Sequence, residues 1–317
     1  MKLRRIIKIV TVGAAALFAS CKEQAKDVFT DDSKINVVTT TTMLTDMAKN
    51  IGGDKVEIHA LISYKDDPHE MELSDAASKA FDDADLILYN GVHLEIKIQE
   101  GLEARTKKGD NVIAVAGSLG SDIKEVDGET DPHVWGNPKV WVKTIDVALA
   151  GFVKADPDNK DYYTKNAKAY KAKILEADAW AEKRVEELKK KLGVEKPVLV
   201  TAHDAFQYFA DRYGFEEFAL QGVSTADDPS LNKTKELIEK VKAKGVKVIF
   251  AEATNNAKGI GQVAAKAEIS VNNEKLLADA CGKPGDERTV NGETYDVGTY
   301  IGMLKHNINT IVDALSK

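Results

Sequence analysis

Residues 156–193 read DPDNKDYYTKNAKAYKAKILEADAWAEKRVEELKKKLG, and the plan of the whole chain follows from how that stretch is taken. At steps of three and four it places Tyr163, Ala167, Tyr170, Ile174, Ala177, Ala181, Val185, Leu188 and Leu192 on one side, the pattern of a single amphipathic helix. Asp156 offers an N-cap, and Pro157 suits the first helical position, where its missing N–H would be unpaired anyway. Lys189, Lys190 and Lys191 complement the negative end of the helix dipole, and Gly193 can stop the helix in a left-handed conformation. Glu186 and Glu187 stand four residues before Lys190 and Lys191, the favourable order for helix ion pairs. At about 1.5 Å per residue this helix spans roughly 50 Å, more than one compact domain is wide. Its stripe, thin in Ala and Tyr, cannot centre a thick core. It is either a coiled-coil arm or a backbone helix crossing between two lobes, and the second reading is preferred. That reading requires a lobe on each side.

Both sides supply one. Before the helix, strand candidates at 35–40 (INVVTT), 56–62, 85–89 (DLILY) and 111–116 (NVIAVA) alternate with helical patterns at 43–51, 74–81, from about Leu94, and 138–153. After it the rhythm restarts: strands at 197–202 (PVLVTA), 217–221, 246–251 (VKVIFA) and 269–273 alternate with helices at 204–213, 230–244 and 256–267, and a terminal helix covers 298–315. Strands alternating with helices give an α/β fold with a mostly parallel sheet. The expected architecture is two similar lobes, each a four-stranded mostly parallel sheet with flanking helices, at 34–155 and 194–317, joined by the long helix at 156–193.

The chain opens MKLRRIIKIVTVGAAALFASC. Lys2, Arg4, Arg5 and Lys8 precede a short apolar run with small residues, the layout of a bacterial secretory signal over 1–20. Cys21 after small residues resembles a lipobox, which makes it the lipidated first residue, and residues 21–33 are a polar tether. Ordinary secretion with cleavage nearby is the alternative. Without the signal, Cys281 is the one thiol left, so no intramolecular disulfide can form. Loss of the four basic leader residues takes the net charge from −7 to −11, a balance that speaks against nucleic acid as a partner.

Four polar positions interrupt this pattern where strands end. Asp67-Pro68-His69 and Asp131-Pro132-His133 follow strands of the first half, and each proline makes a rigid loop presenting one imidazole. His203 follows the first strand of the second half, and Asp279 lies in LLADACG after the fourth. Ligands bind at the C-terminal edge of parallel sheets, and two lobes facing across a cleft would converge these groups. Each alone has an ordinary reading as loop or turn chemistry. Together, three imidazoles and one carboxylate suit a divalent transition metal, with no sulfur donor for Cu(I) and too few oxygens for calcium. Glu252, after the third strand of the second half, is placed to orient a ligand histidine. His59, His93 and His306 fall where packing or surface roles are expected. Cys281 is read as a buried small residue rather than a fifth ligand.

The two Asp-Pro-His loops, LILYNGVHLE (86–95), VLVTAHDAFQYFADRYGF, LQGVSTADDPS, LLADACG and GTYIGMLKHNINTIVDAL resemble the TroA-like family over residues 34–317. These are lipid-anchored metal-binding components of bacterial ABC importers for zinc and manganese, the cluster A-I substrate-binding proteins. The resemblance implies two α/β lobes joined by one long helix, metal in the cleft, and His69, His133, His203 and Asp279 as its ligands. It also implies a permease and its ATPase as partners. Manganese-associated members often carry Glu where His203 stands, and zinc-associated members carry His. Dedicated zinc members commonly have a long His-rich loop before the second ligand, whereas residues 117–130 here are short and contain no His. The nitrogen-rich set favours zinc, with manganese next and Fe2+ open.

The expected protein is therefore a monomeric extracytoplasmic solute-binding lipoprotein, anchored to the membrane through Cys21. It captures a metal by ligation rather than by catalysis. A zinc hydrolase is the enzymatic rival, but it needs an open coordination position beside a general base, and no HExxH or comparable motif is present. A surface adhesin that also binds metal is the other rival, and nothing in the sequence marks an adhesive patch.

Overall fold

The computed structural model describes residues 28–226 and 229–317. The expected signal at 1–20, the acylation site Cys21 and the tether as far as residue 27 lie outside the described residues. In the first half, β1 (Ile35–Thr39), α1 (Thr42–Gly52), β2 (Val56–Ala60), α2 (Asp75–Asp82), β3 (Leu86–Tyr89), α3 (Ile96–Lys108) and β4 (Val112–Ala114) alternate. The four strands pair in parallel in the order β2-β1-β3-β4. β3 is buried at every residue, as its unbroken LILY run demands of a strand covered on both faces. Thr41 caps α1 by accepting from the Leu44 N–H, and Ser74 caps α2 by accepting from Ala77.

The first half continues through β5 (Lys124–Val126) and β6 (Glu129–Asp131), an antiparallel hairpin, into α4 (Pro138–Ala155). Asn137 caps α4 and Pro138 takes its first position.

The long helix, α5 (Lys160–Leu192), has 33 residues. It starts later than the cap reading expects because residues Pro157–Asn159 form a 3-10 turn of their own. Asp156 consequently does not cap α5; its carboxylate accepts from the Asn159 amide and the Tyr163 hydroxyl, each at 2.7 Å. At the other end Gly193 has φ 68°, and its N–H and that of Val194 both reach the Lys189 carbonyl. Of the expected stripe, Tyr163 to Leu188 are buried, whereas Leu192, the last helical residue, is 38 % exposed. The ion pairs there join Lys189 to Glu186 and Arg184 to Glu187, one turn apart at spacing three rather than four.

The second half comprises β7 (Val198–Thr201), α6 (Gln207–Tyr213), β8 (Glu216–Ala219), α7 (Leu231–Ala243), β9 (Val248–Ile249), α8 (Lys258–Ala267) and β10 (Ser270–Val271). A hairpin of β11 (Glu287–Val290) and β12 (Glu293–Asp296) leads into α9 (Tyr300–Leu315). Its parallel strands form two pairs, β7 with β8 and β9 with β10. The Phe250 N–H donates to the Val200 carbonyl at 2.9 Å and links the pairs side by side. α6 begins at Gln207 instead of Asp204 because residues 203–206 bend back, with the Asp204 N–H held by the Gly222 carbonyl.

α5 changes cores along its length. Tyr163, Ala167, Tyr170 and Ile174 pack in the core around α1, β1 and α4, while Ala177, Ala181, Val185 and Leu188 pack with α6 and α9. Because each half buries one face in a different core, the helix is a strut and not an arm. The first core also takes in Leu277, Cys281, Tyr295, Val297, Tyr300 and Met303 from the far end of the chain. The two sheets are thus fused through α5 and α9.

Candidate metal centre

Each of the four residues singled out in the sequence is delivered by a short, locally determined turn. Pro68 opens a 3-10 turn carrying His69, and Asp67 caps it by accepting from the His69 N–H at 2.9 Å. The second Asp-Pro-His repeats this bond, Asp131 Oδ1 accepting from the His133 N–H at 2.9 Å. His133 does not follow β4 directly: the β5–β6 hairpin intervenes, and its last residue is Asp131. His203 stands two residues past β7, and Asp279 follows the bridge that pairs Leu276 with Glu252.

The structure brings all four together. One donor atom from each of His69, His133, His203 and Asp279 lies within 4.8 Å of the others, and all four residues are buried. His69 Nε2 is 3.3 Å from His133 Nε2, His133 Nε2 is 3.4 Å from Asp279 Oδ1, and His203 Nε2 is 3.1 Å from Asp279 Oδ2. A tetrahedral ion with bonds near 2.1 Å has ligand–ligand edges of about 3.4 Å. Although these atoms are close, His203 Nε2 and both Asp279 oxygens make no aligned hydrogen bond. Buried polar atoms without partners are costly unless a ligand satisfies them.

Two of the imidazoles are oriented by carboxylates. Glu252 Oε2 meets His203 Nδ1, and its Oε1 accepts from the Ala202 and His203 N–H groups at 2.9 and 3.0 Å. Asp131 Oδ1 meets His133 Nδ1 at 2.7 Å. Such partners fix the tautomer that turns Nε2 toward a metal. The sequence reading found Glu252 but missed Asp131, whose signal was its place two residues before His133. His69 Nδ1 is buried with no such partner.

Without a metal, protons take its place. Burial opposes charge on His133, but Asp131 and Asp279 outweigh it and raise its pKa to about 9. Burial likewise opposes charge on His203, where Asp279 and Glu252 raise the pKa well above the usual range. Asp279, despite burial, is held well below the usual carboxylate range by His203 and His133. Burial pushes His69 down to about 3, so it stays neutral.

The other candidates stay outside the cluster. His59 lies in β2 with its ring edge-on to Phe29, and His306, on α9, donates from Nε2 to the Lys275 carbonyl at 2.9 Å. His93 stands in a turn with φ 63°, ahead of α3 rather than in it. Cys281 is buried in the first core, its N–H held by the Thr42 hydroxyl and its thiol pushed up by burial. No helix among the described residues is long and apolar enough to cross a membrane.

Comparison with known proteins gives a consistent picture. The ZnuA family, described as the periplasmic zinc-uptake complex component A, matches residues 37–314. The manganese-binding lipoprotein MntA of Bacillus subtilis is 36 % identical over 291 residues, covering 90 % of each chain. The zinc-binding protein TroA of Treponema pallidum is 34 % identical over 292 residues, again covering 90 % of each. A solved structure of periplasmic zinc-binding TroA from that organism superimposes with a TM-score of 0.82 at 33 % identity, covering 90 % of this chain and 100 % of that one.

Proposed function

The chain belongs to the ZnuA family of metal-uptake substrate-binding proteins, and from that premise we propose that it captures a divalent transition metal on His69, His133, His203 and Asp279. It delivers the metal to the permease of an ABC importer driven by an ATPase. The observation that carries this reading is the set of four buried donor residues whose ligand atoms lie within 4.8 Å of one another, with His203 Nε2 and both Asp279 oxygens left without a hydrogen-bond partner. Relatives are named for zinc and for manganese. Three imidazoles favour zinc first and manganese next. The protein acts outside the cytoplasm as a monomer, held to a membrane by lipid on Cys21.

Ligation, not catalysis, is the mechanism. A hydrolytic zinc site needs a free general base beside an open position, and Glu252, beside His203, has both oxygens engaged by the His203 ring and the Ala202 and His203 N–H groups. Donors come from both halves, so metal favours the arrangement that brings them together through its differential affinity for it. The core shared between the halves supports a movement of loops over the site rather than a wide swing of lobes. Elemental analysis of protein purified from its own host tests the proposal. Close to one equivalent of zinc or manganese per chain is expected, and a chain free of zinc, manganese and iron would overturn it.

A further inference from the structure

The ties that hold the four donors in place are unequal. Trp135 Nε1 donates to the Ala278 carbonyl at 2.8 Å and binds the neighbour of Asp279 to the His133 turn. The Tyr300 hydroxyl donates to the Trp135 carbonyl at 2.7 Å and seats that turn on α9. The Tyr208 hydroxyl donates to the Asp131 carbonyl and accepts from the Lys124 N–H, joining the His133 hairpin to α6 just past His203. His133, His203 and Asp279 therefore belong to one connected, largely buried framework.

His69 does not. Its Nδ1 has no partner, so no carboxylate orients the ring as Asp131 and Glu252 orient the other two. Among the described residues, one hydrogen bond ties its loop to the second half of the chain: Thr225 Oγ1 donates to Asp67 Oδ2 at 2.7 Å. The other oxygen of the same carboxylate accepts from the His69 N–H, so Asp67 couples the position of His69 directly to Thr225. Both residues are partly buried, in loops that leave the sheets on the side of the metal centre.

We infer that the Thr225–Asp67 hydrogen bond is the latch that holds His69 over the bound metal, and that its opening governs metal release. Thr225 is a positioning residue in this scheme: it touches no metal and acts through Asp67 on His69. His69 swings away when the latch opens, leaving the ion on the three framework donors, from which a receiving site can take it. The stronger framework explains why release runs through His69 and not through the other side. Charge-assisted hydrogen bonds are the stronger ones in proteins, so a single such bond can set a residence time.

This inference rests on the proposed metal function, and the test separates the two. Release of zinc or cobalt from the loaded protein into excess EDTA would be followed by stopped flow for wild type, Thr225→Val and Thr225→Ser. Valine keeps the shape and removes the donor; the expected result is release about tenfold faster, the effect of losing about 1.4 kcal/mol. Serine restores the wild-type rate. The visible spectrum of the cobalt form, which reports the donor set, stays unchanged in both variants. Release from Thr225→Val within twofold of wild type would overturn the latch while leaving the metal site intact. A wild-type chain that binds neither ion would instead overturn the function on which the latch depends.

Discussion

One oxygen of Asp131 accepts twice from His133, from its N–H at 2.9 Å and from its Nδ1 at 2.7 Å. A carboxylate two residues upstream thereby fixes backbone, ring plane and tautomer together. Replacing Asp131 with Ala should weaken zinc binding by about 10–100-fold, the range for partners of a metal-bound imidazole. Competition against a chelator of known affinity checks this, and the cobalt spectrum should still report the same donors.

Metal binding should release protons. His133, with its pKa raised to about 9, and His203, raised well above the usual range, are protonated in the metal-free protein at neutral pH. His69 is already neutral and Asp279 already ionised. Apparent zinc affinity should accordingly rise about a hundredfold per pH unit between pH 6 and 8, two protons leaving per ion. A tenfold slope would mean that one imidazole is neutral beforehand.

The same shifts set the stability of the metal-free fold. A histidine whose folded pKa is raised contributes stability below its unfolded value, near 6.5, and loses it as pH climbs through the folded value, near 9 for His133. Melting of the metal-free protein should therefore fall across that window. The rise in Tm on adding zinc should be larger at pH 9 than at pH 6, because the metal replaces the lost protons. Calorimetry at the two pH values decides it.

Exchanging His203 for Glu should change metal preference. An oxygen replaces a nitrogen, and it enters beside Asp279 Oδ2 and Glu252. Zinc affinity should drop by at least about tenfold more than manganese affinity, since nitrogen donors favour the later metal. Titrations with both ions measure the ratio.

Ile174 is the last residue of α5 to pack in the first core before the helix passes to the second. Ile174→Ala should cost about 2–5 kcal/mol of unfolding free energy, as for other fully buried aliphatic truncations. Chemical denaturation measures it, and a loss below about 1 kcal/mol would argue that the helix is not a structural strut.

Much of this was legible because it is periodic or local. The α5 stripe from Tyr163 to Leu188 follows from spacing, and the buried LILY strand from its unbroken apolar run. Both Asp-Pro-His turns declare themselves by proline. The two hairpins went unread although their turns were written in the sequence. Asp127-Gly128 and Asn291-Gly292 carry consecutive positive φ values, 53° and 84° and then 53° and 82°, as two-residue hairpin turns require. Their strands are short and polar, so no apolar alternation drew attention to them. What no local pattern carries is long-range pairing. Thr225 meets Asp67 across 158 residues, and Leu277, Cys281, Tyr295, Val297, Tyr300 and Met303 join the first core only once the chain has folded back.

X-ray absorption of the zinc-loaded protein tests the central claim most directly, because it counts the donors around the ion. The account predicts a nitrogen and oxygen shell at about 2.0–2.1 Å with the scattering of three imidazoles and no sulfur. A sulfur contribution at about 2.3 Å, or fewer than three imidazoles, would contradict the assignment of His69, His133, His203 and Asp279 as one site.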